Sequence, residues 1–357
     1  LSIAGGDLTV DGAGNTTLNG VVSGDQIFYK SGNGTLTFGA ATNTFSGLLQ
    51  INAGTVSLNN TTAPLAAGTI TMWGGKLLIN QGIDAANWNR SITVGGASEF
   101  ETANGASVID AGVTVNDVLT IRGNQNLTCS TVAVSGASNI IVNMSNPANR
   151  VIMAFANTYS GTTTLTAGTL LYNAVMDNAC NGAVSVASGA TIGGTGSVKG
   201  AVTVASGGFV RPGDSGVGTL TAADFTFLGT SKMYVNIVGA TKDVLDVTGT
   251  LTLPAGPSAL VELEAGSSPN PSTAFAVVTA ATYNSGGGAN SFANTALPAG
   301  WTVTSTDNVG ITLNSPAAPP SGIPTLNEWG LIVLMMLLAG IGAYTLRRRH
   351  ADAPMPV

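Results

Sequence analysis

Charge is scarce in this chain. Of 357 residues only 8% are Asp, Glu, Lys or Arg, aromatics make up 6%, and there are two cysteines and one histidine. Each shortage excludes something. A disordered chain keeps apolar content low and charge high, whereas 44% of these residues are hydrophobic, so a folded core is expected. Cys129 and Cys180 stand 51 residues apart and cannot supply a disulfide framework. They read as two small core residues, with pairing across neighbouring coils left open. The single histidine, His350, lies near the C-terminus, so no Ser-His-Asp or Cys-His nucleophile can form in the body of the chain. Zinc spacings, EF-hand loops and calcium-binding nonapeptides are absent, and no cofactor is expected. The net charge is −6; without Arg347, Arg348, Arg349, Glu328 and Asp352 the remainder keeps 9 basic and 16 acidic residues. That leaves no basic patch for nucleic acid or anionic lipid.

What is abundant is Gly, with 48 copies, together with Thr, Val, Ser and Asn, all mediocre or poor helix formers. Short runs alternate an apolar residue with Thr or Ser until a Gly-bearing corner interrupts them, the pattern of strand and turn. AVSVASGA from Ala183 returns as AVTVASGG from Ala201, an offset of 18 residues. That is too long for a tight hairpin and suits one circuit of a solenoid.

Two longer copies are more specific. NTFSG followed by INAGTVSL, from Asn43, matches NTYSG followed by LTAGTLLY, from Asn157, 114 residues later. These residues resemble the autotransporter-associated β-strand repeat of Gram-negative passenger domains; the copy at 30–58 covers nearly the whole repeat, and the copy at 148–174 lacks its leading glycines. Gly189–Thr221 (GATIGGTGSVKGAVTVASGGFVRPGDSGVGTLT) resembles the passenger signature that commonly follows it, and DVLDVTGTLTL (Asp243–Leu253) the closing coil. The resemblance covers about half of the chain and implies a right-handed parallel β-helix. It implies little about a ligand. No region the size of a translocator barrel follows, so self-transport is not expected.

The residues support the same architecture independently. Parallel strands stacked coil on coil lie ~4.8 Å apart, so equivalent residues pile over one another. Val, Leu and Ile then form ladders inside, Thr and Ser ladders outside, and Asn43 and Asn157 are expected at corners where their amides satisfy turn backbone. Residues 1–254 are expected to form this β-helix, with coils of roughly 18 to 25 residues and on the order of 10 to 14 turns. Trp73, Trp88 and IDAANWNR (Ile83–Arg90) suggest a coil with a longer loop. Residues 255–314 are expected to be a β-rich cap that covers the open end of the sheets. SPAAPPSG, 315–322, is a Pro-rich linker. The first residue is Leu1 and no signal-peptide pattern precedes the first strands, so an export signal is expected upstream.

The tail, 323–349, reads IPTLNEWGLIVLMMLLAGIGAYTLRRR. From Trp329 to Leu346 there are 18 uncharged residues, about 27 Å of helix, and three arginines follow. This predicts a single transmembrane helix with the Arg347–Arg349 run on the cytoplasmic side and residues 350–357 as a short cytoplasmic tail. Ile323-Pro324-Thr325-Leu326, Glu328-Trp329-Gly330, the apolar run and Arg347-Arg348-Arg349 closely resemble the IPTL-type C-terminal sorting signal. The resemblance implies a membrane-embedded sorting protease or transpeptidase as partner, cutting near the motif. In that reading the arginines stop transfer, and Pro324 keeps the preceding backbone extended.

Two functions remain in view, together with a third possibility in which the helix is never cut and the protein stays anchored. One is a non-enzymatic surface-displayed or secreted β-helix with an adhesive or matrix role, with glycans or other surface proteins as partners. The other is a polysaccharide lyase or hydrolase on the same scaffold. Carboxylates converging in a groove beside Arg90, Arg122 or Arg150 would favour the enzyme, and a flat Thr/Asn-lined face the structural protein.

Overall fold

The computed structural model describes residues 1–39, 42–59, 65–66, 68–83, 88, 90–130, 133–176, 180–254, 259–284, 292–293, 297–306, 310–318, 332–341 and 343–344. They fall into two compact units, Leu1–Ser315 and Pro316–Val357. The first is a parallel β-solenoid of about 11 turns. Its longest stack is an unbroken series of parallel pairings that begins with Thr16–Leu18 on Thr35–Phe38 and ends with Val244–Thr252 on Ala274–Asn284. Two further stacks run beside it, one from Leu8–Val10 to Val134–Ser135, the other from Ser107–Ile109 to Phe292–Ala293. The 18-residue echo in the sequence is one circuit: Val184, Ser185 and Val186 lie directly on Val202, Thr203 and Val204.

The alternation of the sequence becomes two faces. Leu36, Val56, Leu77, Phe100, Ile121 and Val142 succeed one another in register along the inside of the longest stack. None is more than 2% exposed. Each such side chain contributes about 1.5–3 kcal/mol by leaving water, so the ladder is the principal source of cohesion between coils. Thr35, Thr37, Thr55 and Ser57 occupy the opposite positions. Cys129 and Cys180 are both buried and no disulfide joins them. Burial pushes the Cys129 thiol up to about 12, which keeps it protonated and inert.

Parallel pairing continues past Pro254, with Ala259–Leu263 on Lys232–Val235. The direction then reverses: Gly310–Asn314 runs antiparallel to both Ala274–Asn284 and Thr302–Thr306. Trp301 stacks on Phe275 beneath this turnabout, ring centroids 6.3 Å apart.

In the second unit, residues 332–341 are helical. Ten residues give about 15 Å of helix, against a hydrocarbon thickness of roughly 30 Å. Among the described residues no helix is long and apolar enough to cross a membrane. Of the expected span over Trp329–Leu346, residues 332–341 are helical, and 329–331, 342, 345 and 346 lie outside the described residues.

Candidate functional site

The repeat residues are internal fasteners. Asn43 and Asn157 are 2% and 0% exposed. The Asn43 Oδ1 accepts the Val22 backbone N–H at 2.8 Å, and the Asn157 Oδ1 accepts the Val134 N–H at 2.7 Å. In both copies the asparagine reaches back one coil and satisfies a buried donor that the sheet leaves over. The aromatic two positions on points inward in both: Phe45 packs edge-on against Phe28, and the Tyr159 hydroxyl shares hydrogen bonds with Thr163 at 2.6 Å and Tyr172 at 3.3 Å. Gly161, Gly182 and Gly200 stack so closely that a Cβ on either of the last two would lie 1.9 Å from the carbonyl oxygen of the glycine one coil back. Gly54 and Gly168, in the Ala-Gly-Thr triplets, turn with φ of +68° and +89°, which glycine adopts at no steric cost.

Three arginines were candidates for an active site, and the structure separates them. Arg90 is 2% exposed. Its guanidinium donates to the carbonyls of Ala66, Gly47, Thr69 and Phe45, and lies 4.9 Å from the Phe45 ring centre. Burial lowers its pKa to about 10. Arg90 therefore ties three coils together and reaches no ligand. Trp88 donates its indole N–H to the Arg90 carbonyl and is buried beside it. Trp73, by contrast, is 57% exposed and lies over Gly95; the rest of the suspected loop, 84–87 and 89, lies outside the described residues.

Arg122 belongs to an ion network on the outer face of the longest stack. It pairs with Glu99 at 3.3 Å and Glu101 at 3.6 Å, while Lys76 reaches Glu101 at 2.5 Å. Arg150 lies elsewhere, in a groove of about 370 Å³ on the nine-strand stack. The loop after Phe209–Pro212 folds back across several coils so that Asp214 meets Arg150 at 2.6 Å and accepts from the Asn173 amide at 3.0 Å. Phe209, Arg211 and Tyr234 form the opposite side: the Arg211 guanidinium lies 4.5 Å over the Tyr234 ring, and the Phe209 and Tyr234 rings are 5.7 Å apart. Thr169, Leu171 and Thr191 also line it. Next to it Lys232 holds Glu262 at 2.6 Å, which raises the Lys232 pKa, and Arg211 lies 3.6 Å from Glu264.

Asp243 has the carboxyl pushed up to about 6, chiefly by burial. It is 1% exposed and accepts the backbone N–H groups of Gly218 and Asn236, each at 2.8 Å. Both oxygens are thus engaged in holding a corner. Among the described residues no group of three or more His, Cys, Asp or Glu side chains could hold a metal ion.

The passenger-associated-transport-repeat family model matches residues 28–58 and 151–171, the stretches that carry the paired fasteners. The IPTL-CTERM motif matches residues 322–349. This chain is a passenger-repeat β-solenoid with an IPTL-type sorting signal. No curated protein matches it. Together the repeat and the signal mark an exported β-helix protein of the cell surface or extracellular space. The residues expected to form the sorting motif, Ile323, Pro324, Thr325, Leu326, Glu328, Trp329 and Gly330, and those expected to stop transfer, Arg347, Arg348 and Arg349, all lie within the matched motif but outside the described residues.

The passenger repeat positions its own fasteners, but the groove joins the end of its second copy, through Thr169 and Leu171, to later coils, and sequence reading missed it. The signal that could have found it is a change of outer-face composition. FVRP, KMYV and VELE place Phe209, Arg211, Lys232, Tyr234, Glu262 and Glu264 at alternate outward positions, where the strand before them in the stack carries Thr191 and Gly193.

Proposed function

We propose that this protein is a non-enzymatic, surface-displayed or released β-helix with an adhesive or matrix-building role, delivered by processing at its C-terminal signal. One observation carries the reading: passenger repeats set in a solenoid of about 11 turns share one chain with an IPTL-CTERM motif. A stack of that height presents roughly 50 Å of repetitive face, a display surface more than a reaction chamber. The non-enzymatic reading is supported by the pairing of outer-face carboxylates with cations, and by the sealing of Asp243, the carboxyl raised into the general-acid range.

In this reading the apolar run Trp329–Leu346 spans the inner membrane once, and Arg347, Arg348 and Arg349 halt it there. The exposed side chains of Val333 through Leu338 and of Ile341 are consistent with a helix that meets lipid. A membrane-embedded sorting protease or transpeptidase then cuts near Ile323–Leu326. Cell fractionation with mass spectrometry of the extracellular form tests the proposal. Peptides from the solenoid outside the cell, and none from beyond Trp329, are expected. Recovery of the whole chain in the cytoplasm refutes it.

A further inference from the structure

We infer that the groove between Arg150, Asp214, Arg211 and Tyr234 is a saccharide-binding site, and that its ligand is an uncharged polysaccharide chain. The inference rests on the proposed extracellular role and names the ligand class of that surface.

The first argument is distribution. In a chain with only 12 Lys and Arg residues and 18 Asp and Glu residues, Arg150, Arg211, Lys232, Asp214, Glu262 and Glu264 gather on and beside one groove of one sheet. A second charged cluster, Lys76, Glu99, Glu101 and Arg122, lies on a different stack, but the pocket beside it is lined by Ala, Gly, Asn and Ser with Glu101 and Arg122 and has no aromatic ring, so of the two clusters only this one brings charge and aromatic surface together in a groove.

The second argument is chemistry. Sugars present a C–H face and a ring of hydroxyls that both donate and accept. Phe209, and the part of Tyr234 that Arg211 does not cover, supply aromatic surface to the first. The Arg211 guanidinium carbon lies 4.5 Å from the Tyr234 ring centre, with its Nε 3.6 Å from Glu264, beyond hydrogen-bond length, so its N–H groups are left to donate to sugar oxygens. Asp214 supplies acceptors, and its bonds from Arg150 and Asn173 fix the carboxylate in place before any ligand arrives. Thr169 and Thr191 add hydroxyls along the lining.

The third argument selects the charge of the ligand. Each cation here faces a carboxylate: Arg150 with Asp214, Arg211 with Glu264, Lys232 with Glu262. The groove is therefore close to neutral, in a protein of net charge −6. A polyanion finds no uncompensated cation, while vicinal hydroxyls suit alternating guanidinium and carboxylate groups.

The test uses the purified full chain, kept in a non-glycosidic detergent because the helix at 332–341 exposes apolar side chains. Immobilised hexasaccharides of β-glucan, mannan and galactan are compared with oligogalacturonate and oligoalginate of the same length. The uncharged oligosaccharides are expected to bind. Arg211→Ala and Phe209→Ala should each weaken binding at least tenfold, while Arg122→Ala, on a different stack, changes it less than twofold. Thermal midpoints of all three variants report whether the fold survives. Binding to uronate oligomers alone, no binding to any uncharged probe, or affinity retained by both folded groove variants overturns the inference. These outcomes do not depend on where the protein resides, so they remain distinct from a failure of the fractionation experiment.

Discussion

Asn157→Leu isolates the fastener that the two repeat copies share. The side chains share one branched skeleton of four heavy atoms and leucine is the larger, so no cavity opens, but leucine cannot accept the Val134 N–H that Asn157 Oδ1 holds at 2.7 Å. The site is sealed from water, with Asn157 at 0% and Val134 at 3% exposure. Leaving a buried donor unsatisfied costs about 1–3 kcal/mol. In a solenoid that cost falls mainly on the affected coil and its neighbours. Hydrogen exchange at the Val134 amide should accelerate by roughly 5- to 150-fold, at about 1.4 kcal/mol per decade, and the urea midpoint should fall. Asn139 makes the same bond, to the Thr162 N–H at 2.8 Å, in an exposed position. Asn139→Leu should cost less than about 0.5 kcal/mol, because water replaces the lost partner. Equal costs for the two variants, or unchanged exchange at Val134, would refute the reasoning.

Three further perturbations follow from the same geometry. Gly182→Ala places a Cβ 1.9 Å from the Gly161 carbonyl oxygen, so a loss of at least about 1–3 kcal/mol in thermal unfolding is expected, whereas Gly216→Ala meets nothing within 4 Å and should be silent. Arg90→Met removes donors from four carbonyls and should cost roughly 2–4 kcal/mol in urea titration; Arg122→Met, whose side chain is 43% exposed, should cost less than about 1 kcal/mol. Asp243 has a folded pKa raised from 3.8 to about 6, so the folded state binds the proton more tightly. Its contribution to stability is full below about pH 4 and is lost as pH rises through 6. Urea midpoints from pH 4 to 7 should show this downward slope, and its absence from Asp243→Asn identifies the group.

The architecture was legible because period-2 alternation and the 18-residue echo report the same thing twice: Val184–Val186 and Val202–Val204 look alike because they occupy one ladder. Asn43 and Asn157 were legible as corner residues from their place in the repeat, although their full burial was not, since a corner can face either way. Arg90 looked like surface chemistry because an arginine is ordinarily solvated, and only the convergence of four carbonyls from different coils accounts for its burial. The groove was illegible for a topological reason. It requires the register of several coils and a loop that brings Asp214 to Arg150 across 64 residues of sequence. The reversal at Gly310–Asn314 was equally hidden, since alternation reads the same in parallel and antiparallel strands.

The coil-by-coil register has a mechanical corollary. Stacked partners such as Leu49 and Ile70 are separated by 21 residues, and the long-range contacts that hold one winding are mostly with the windings directly above and below. A tether pulled in flow would peel such a body one winding at a time, each yielding roughly 70 Å of slack at about 3.4 Å per residue, and so would give way in steps under shear instead of snapping as a whole.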